Sequence, residues 1–163
     1  MKKLWWLLPA ALLLAGCGKS VSERAAEKAI EAQTGAEVSV GEGGGYKIKG
    51  DGYTQTVGSQ AELPPGFPTD MPIYPGARLA FGQAAVGIFT LGWVSDDEPA
   101  KVKAFYVQNL PVQGWQMDSQ LEIEGKAILN GSKGGRRVML GLEPSTDAQV
   151  GGKTRISLNL TSF

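Results

Sequence analysis

SDDEPAKVKAFYVQNLPVQGW, residues 95–115, is the stretch whose reading decides the fold. Ser95 and Glu98 stand at capping-box spacing, and Pro99 is tolerable only in the first turn of a helix, so a helix begins here. Val102, Phe105, Tyr106 and Leu110 make one apolar helical stripe, which Pro111 ends. Gly114-Trp115 then leads into a strand. Trp115, Met117, Leu121 and Ile123 are expected to point inward from it, with Gln116, Asp118, Gln120, Glu122 and Glu124 facing water. Strand candidates flank this unit on both sides: Arg78–Ala85 and Val86–Val94 before it, then Ala127–Leu129, Arg136–Leu142 and Thr154–Thr161 after it. Glycine supplies the turns, with 23 in the chain and clusters at Gly134-Gly135 and Gly151-Gly152. The order implies an α+β fold over residues 76–163, an antiparallel sheet packed against one main helix.

Before this domain comes a proline-rich crossing, residues 61–75. Five of the nine prolines lie between Leu63 and Gly76, and both Pro65/Pro68 and Pro72/Pro75 have PxxP spacing. Phe67, Ile73 and Tyr74 give the segment too much apolar surface for a free recognition tail, so it is expected to cross one end of the domain and pack there. Residues 17–60 read as a small helix-plus-β-meander unit. Ser20 and Glu23 have capping-box spacing, Ala25, Ala26, Ala29 and Ile30 form a narrow stripe, and Gly35 ends the helix. Ala36–Val40, Tyr46–Lys49 and Tyr53–Val57 follow as short strands, the last two joined by the hairpin signal Asp51-Gly52. With few large apolar groups, this unit is expected to be marginal alone.

Phe67-Pro68-x-Asp70-x-Pro72-x-Tyr74-Pro75-Gly76-Ala77, followed by Phe105-Tyr106-x-x-x-Leu110-Pro111-x-x-Gly114-Trp115, resembles a pattern shared by a group of small uncharacterised bacterial lipoproteins. The preceding Glu27-Lys28-Ala29-Ile30-Glu31-Ala32-x-x-Gly35 also resembles their N-terminal part. The resemblance implies an extended proline-rich lead-in, a strand and a helix ending near Gly-Trp. It carries no assigned activity.

The N-terminus supports the same class. Lys2 and Lys3 precede an apolar run from Leu4 to Ala15, too short to span a bilayer as a mature helix, as in a secretory signal. Leu14-Ala15-Gly16-Cys17 resembles the bacterial lipobox, which implies cleavage after residue 16 and lipid attachment at Cys17. Two or more acyl chains anchor a protein firmly. The implied location is the bacterial cell envelope, facing the periplasm. Cys17-Gly18-Lys19-Ser20 looks like the inner-membrane retention signal of pseudomonad lipoproteins, and under the enteric rule the same residues imply the outer membrane.

Composition narrows the chemistry. The chain has 16 Lys+Arg against 16 Asp+Glu, and loss of Lys2 and Lys3 with the leader leaves it slightly acidic, which gives no electrostatic case for nucleic acid. There is no histidine and only one cysteine, so the commonest general base, the best nucleophile and His/Cys metal sites are all missing. Glu122 and Glu124, two apart on a strand, offer paired carboxylates, but polar neighbours favour a solvated face. No enzyme, cofactor or metal is expected.

The expected role is a lipid-anchored, non-enzymatic interaction or accessory protein. The alternative is a small-ligand or lipid-binding module with a cavity between helix and sheet. Partner contacts, to an envelope protein or a lipid head group, are expected at Tyr46 and Tyr53 of the meander and at the basic hairpin Lys133, Arg136 and Arg137.

Overall fold

The computed structural model describes residues 21–41, 45–58, 61–145 and 151–162. Cys17, the leader and the Ser20 cap lie outside the described residues. The elements in order are α1 (Val21–Thr34), β1 (Glu37–Val40), β2 (Tyr46–Gly50), β3 (Tyr53–Val57), β4 (Arg78–Ala85), β5 (Ile88–Ser95), α2 (Pro99–Val112), β6 (Gln116–Ile123), β7 (Lys126–Lys133), β8 (Arg136–Pro144) and β9 (Thr154–Ser162). Strict alternation in the last strands defines a core face. Val138, Leu140 and Leu142 of β8 and Ile156, Leu158 and Leu160 of β9 are buried, with exposed or half-buried residues between them. The register aligns them in columns: Leu91 with Leu158, Leu158 with Leu140, Leu140 with Leu129.

The expected fold class is overturned. β3 pairs with β4 through Thr54–Val57 against Phe81–Ala84, so the meander continues the main sheet. All nine strands form one antiparallel sheet in the order β1-β2-β3-β4-β5-β9-β8-β7-β6. The fold is sheet-dominated, with two helices among the described residues. The physical reason lies in the edge: β4 has an open ladder, and a meander too poor in apolar residues to make a core gains its stability by pairing there.

The core face is covered by α2 and by the proline-rich crossing. Val102, Tyr106 and Leu110, spaced by one helical turn, are the fully buried residues of α2. Phe105, expected on the same stripe, is partly buried at its margin, where its ring stands edge-on to Tyr74 at 5.1 Å between centroids. The crossing packs Met71 and Tyr74 into the core and sets Phe67 edge-on to Phe89, 5.6 Å away. Ile73, expected to pack with them, is exposed. Gly82 permits the close approach. A Cβ there would meet Thr56 Oγ1 at 3.0 Å and the Glu62 carbonyl at 3.3 Å.

Two local expectations are corrected. At α2 the capping box does not form. Glu98 is the cap residue, without a side-chain cap hydrogen bond, and Pro99 sets the first turn; Ser95 instead accepts a hydrogen bond from the Asp97 amide. In β6 the register shifts between Met117 and Ser119, placing Asp118 as an extra residue. That bulge inverts the remainder of the strand. Gln120 and Glu122 pair with Leu129 and Ala127 of the core face, and Glu122 forms an ion pair with Lys103 of α2. Leu121 and Ile123 turn to the opposite face, 52% and 58% exposed. Glu124 leaves the strand altogether, sitting in the hairpin turn with φ +51°. The paired carboxylates therefore do not share a face.

Candidate functional site

Strand alternation divides the basic hairpin. Lys133 and Arg136 are cross-strand partners on the core face, whereas Arg137 belongs to the other. Arg136 makes a two-pronged contact with Asp70, Nη1 donating to Oδ1 at 2.8 Å and Nη2 to Oδ2 at 2.6 Å. Lys133 Nζ reaches the same carboxylate at 2.6 Å and also donates to the Gln113 carbonyl. The Arg136 guanidinium lies 5.1 Å from the Trp115 ring centroid, and Trp115 Nε1 donates to the Asp70 carbonyl at 3.0 Å. The Arg136 hydrogen bond, helped by Lys133, holds the Asp70 carboxyl well below the usual carboxylate range against the opposing effect of burial. Two of the three expected contact cations thus clasp the proline-rich crossing to β7, β8 and the end of α2. A second tie joins Tyr74 to Asp97, its hydroxyl donating at 2.8 Å; burial first, then this bond, raises the phenol above its ordinary range.

The expected cavity between helix and sheet is occupied by side chains. Trp115, Tyr106, Leu110, Val102 and the leucines of β7–β9 fill that layer. Open space is found at the hairpin, where Lys133, Arg136 and Arg137 together line a depression of about 480 Å³, and on the other face of the sheet. There a groove of about 560 Å³ is lined by Asp118, Asn130, Ser132, Arg137, Met139, Asn159 and Thr161, with Gly131 and Val138 at its floor. A second depression of about 270 Å³, lined by Ile128, Met139, Gly141 and Ser157 among others, adjoins it through Met139.

Register explains how these residues meet. Gln55, Gln83, Thr90, Asn159, Met139, Asn130 and Ser119 are successive cross-strand partners, one from each strand from β3 to β6 across the sheet. Asn159 Nδ2 donates to Thr90 Oγ1 at 3.2 Å, and Asn130 Nδ2 to Ser119 Oγ at 2.9 Å. Ser132 Oγ donates to Asp118 at 3.0 Å, so the bulge residue is turned into the groove wall. Beside this polar row stand Leu121, Ile123, Ile128 and Met139, all exposed. Leu121 and Ile128 are direct cross-strand partners. A polar band flanked by apolar side chains can hold a molecule that has both kinds of surface.

Tyr46 and Tyr53 share this face at its other end. Tyr53 hydrogen-bonds to Gln55, which donates to the Tyr46 hydroxyl at 3.3 Å. They are joined to the polar row through Gln55, away from the hairpin cations. No short motif marks the groove, since its residues come from four strands and meet only through pairing. The one local signal was alternation in β7–β9, whose off-core positions read Asn130, Ser132, Arg137, Asn159 and Thr161.

Among the described residues no helix is long and apolar enough to cross a membrane, and no cluster of three or more His, Cys, Asp or Glu side chains could hold a metal. A START domain-like family model matches residues 83–152, from the end of β4 through α2 and β6–β8. No curated protein and no solved structure matches the chain.

Proposed function

We propose that this chain is a non-enzymatic module that binds one small amphiphile or lipid on the open face of β6–β9. The START domain-like match carries the reading, because it points to ligand or lipid binding and spans most of the groove strands. The groove supplies what such a ligand needs. Arg137, Asn130, Ser132, Asn159 and Thr161 offer polar contacts, while Ile128 and Met139 offer apolar ones alongside. Absence of turnover is supported by a sequence without histidine and by Asp118, the carboxylate lining the groove, being engaged by Ser132.

The test is titration of the purified Cys17→Ser protein with a fluorescent single-chain fatty acid. Saturable one-to-one binding is expected. Met139→Asp, at an exposed position, should weaken it about tenfold or more by placing a charge against the apolar part of the ligand, with the melting temperature unchanged. Absence of saturable binding, or full affinity in Met139→Asp, would reject the groove.

The module is held at a membrane through lipid on Cys17, as the lipobox resemblance supports. Growth with labelled palmitate should label the wild-type protein, and Cys17→Ser should lose the label and keep its leader. A mature-length, membrane-bound and labelled Cys17→Ser product would contradict the anchor.

A further inference from the structure

The two edges of the sheet are protected in different ways. β6 carries its own safeguards: the bulge at Asp118, the charge of Glu122 and the turn residue Glu124. β1 has no bulge, and its single charge, Glu37, stands at its first position. Its sequence Glu37-Val38-Ser39-Val40 is short, β-branched and nearly uncharged. Gly41, in the same alternation as Glu37 and Ser39, bonds inward through its amide to the Gly45 carbonyl, which leaves the amides of Val38 and Val40 directed at the free edge. Both are taken by α1. The Val40 amide donates to Glu27 Oε1 at 2.7 Å and the Val38 amide to Glu31 Oε1 at 3.3 Å.

These contacts tie α1 to the open edge of the sheet. Ala25 and Ala29, expected to face inward, are exposed. The helix makes its described contacts with β1, and Glu27 and Glu31, one turn apart, reach the two edge donors.

We infer that α1 is a removable guard on β1, and that the strand it covers is a pairing surface for a second copy of this chain. Antiparallel self-pairing centred on Ser39 places Val38 opposite Val40 and Glu37 opposite Gly41, so no like charges meet. The Val38 and Val40 amides would exchange their carboxylate acceptors for carbonyls of the second copy. Self-pairing of β6 would bring its acidic residues together, which makes β1 the edge that fits. The inference is independent of ligand binding in the groove.

The experiment uses the full chain with Cys17→Ser and Ser39→Cys, so that residue 39 carries the only thiol. Residues facing each other at a non-hydrogen-bonded antiparallel position come close enough for a disulfide. Adding Glu27→Ala and Glu31→Ala should raise the yield of the 39–39 crosslinked dimer about tenfold or more, since two charge-assisted hydrogen bonds no longer oppose pairing. Val40→Pro on that background removes one edge donor and should return the protein to monomer. A guard-free variant that keeps its circular dichroism spectrum and stays monomeric, or dimerises without the crosslink, would overturn the inference. Hydrogen exchange on the unmodified chain gives a second reading that needs no variant. The Val38 and Val40 amides should be protected like those paired between strands, and exchange as fast as open edge amides would equally overturn it.

Discussion

Replacing Trp115 by alanine should destabilise the protein by about 3–5 kcal/mol, a large part of the margin of a chain this size. Trp115 is 2% exposed and connects three parts of the molecule. Its ring packs in the core beneath α2, its Nε1 holds the Asp70 carbonyl, and its face carries the Arg136 guanidinium. Alanine leaves a cavity, an unpaired carbonyl and an Arg–Asp pair without its platform. Phenylalanine should recover much of the loss, because it restores bulk and an aromatic face but no donor. Denaturant unfolding of both variants checks this. A Trp115→Ala midpoint close to wild type would show that the crossing is held without it.

The second large effect is expected at Asp70. Asp70→Asn should cost about 2–3 kcal/mol by taking the charge from a carboxylate that accepts from Arg136 and Lys133. The pH dependence follows from the direction of its shift. In the folded chain this carboxyl titrates well below its ordinary value, and in the unfolded chain it titrates near 4. Its contribution is therefore fully present above that unfolded value and is lost as the pH falls through and below it. Between neutral pH and pH 3 the wild type should lose more stability than Asp70→Asn, and the two curves should converge in acid. Parallel curves would mean that the clasp contributes nothing. The side chains of Asp70, Lys133 and Arg136 are 28%, 29% and 24% exposed, so high salt should narrow the gap without abolishing it.

Much of the fold is legible in the sequence because the signals are local. The Arg78–Ala85 strand, the Asp51-Gly52 hairpin and the helix opening at Pro99 each rest on residues within a few positions of one another. What local patterning does not carry is pairing across distance. Nothing in Tyr53–Val57 says that it will add to β4 beyond the long crossing, because backbone hydrogen bonds leave no mark in the side chains. The bulge at Asp118 is equally silent. A strict period of two places Leu121 and Ile123 in the core, and one extra residue turns them to the open face and brings Glu122 to Lys103.

The groove fell between these two gaps. Its polar residues stand singly at outward positions of three strands. The apolar residues that complete it are Ile128 and Met139, with Leu121 of the inverted part of β6 beside Ile128, and only the register sets them near Asn130 and Asn159. The hairpin cations illustrate the converse. Lys133, Arg136 and Arg137 form one basic cluster in sequence, yet alternation sends two to the Asp70 clasp and one to the groove.

The central claim, that a ligand sits on the open face of β6–β9, is tested most directly by amide and methyl chemical shifts of isotope-labelled protein titrated with a single-chain fatty acid. The account predicts saturating shifts concentrated at Ile128, Asn130, Arg137, Met139 and Asn159, with Val102, Tyr106 and Leu110 of α2 little changed. Shifts concentrated on α2 and the buried leucines, or none at saturating ligand, would contradict it.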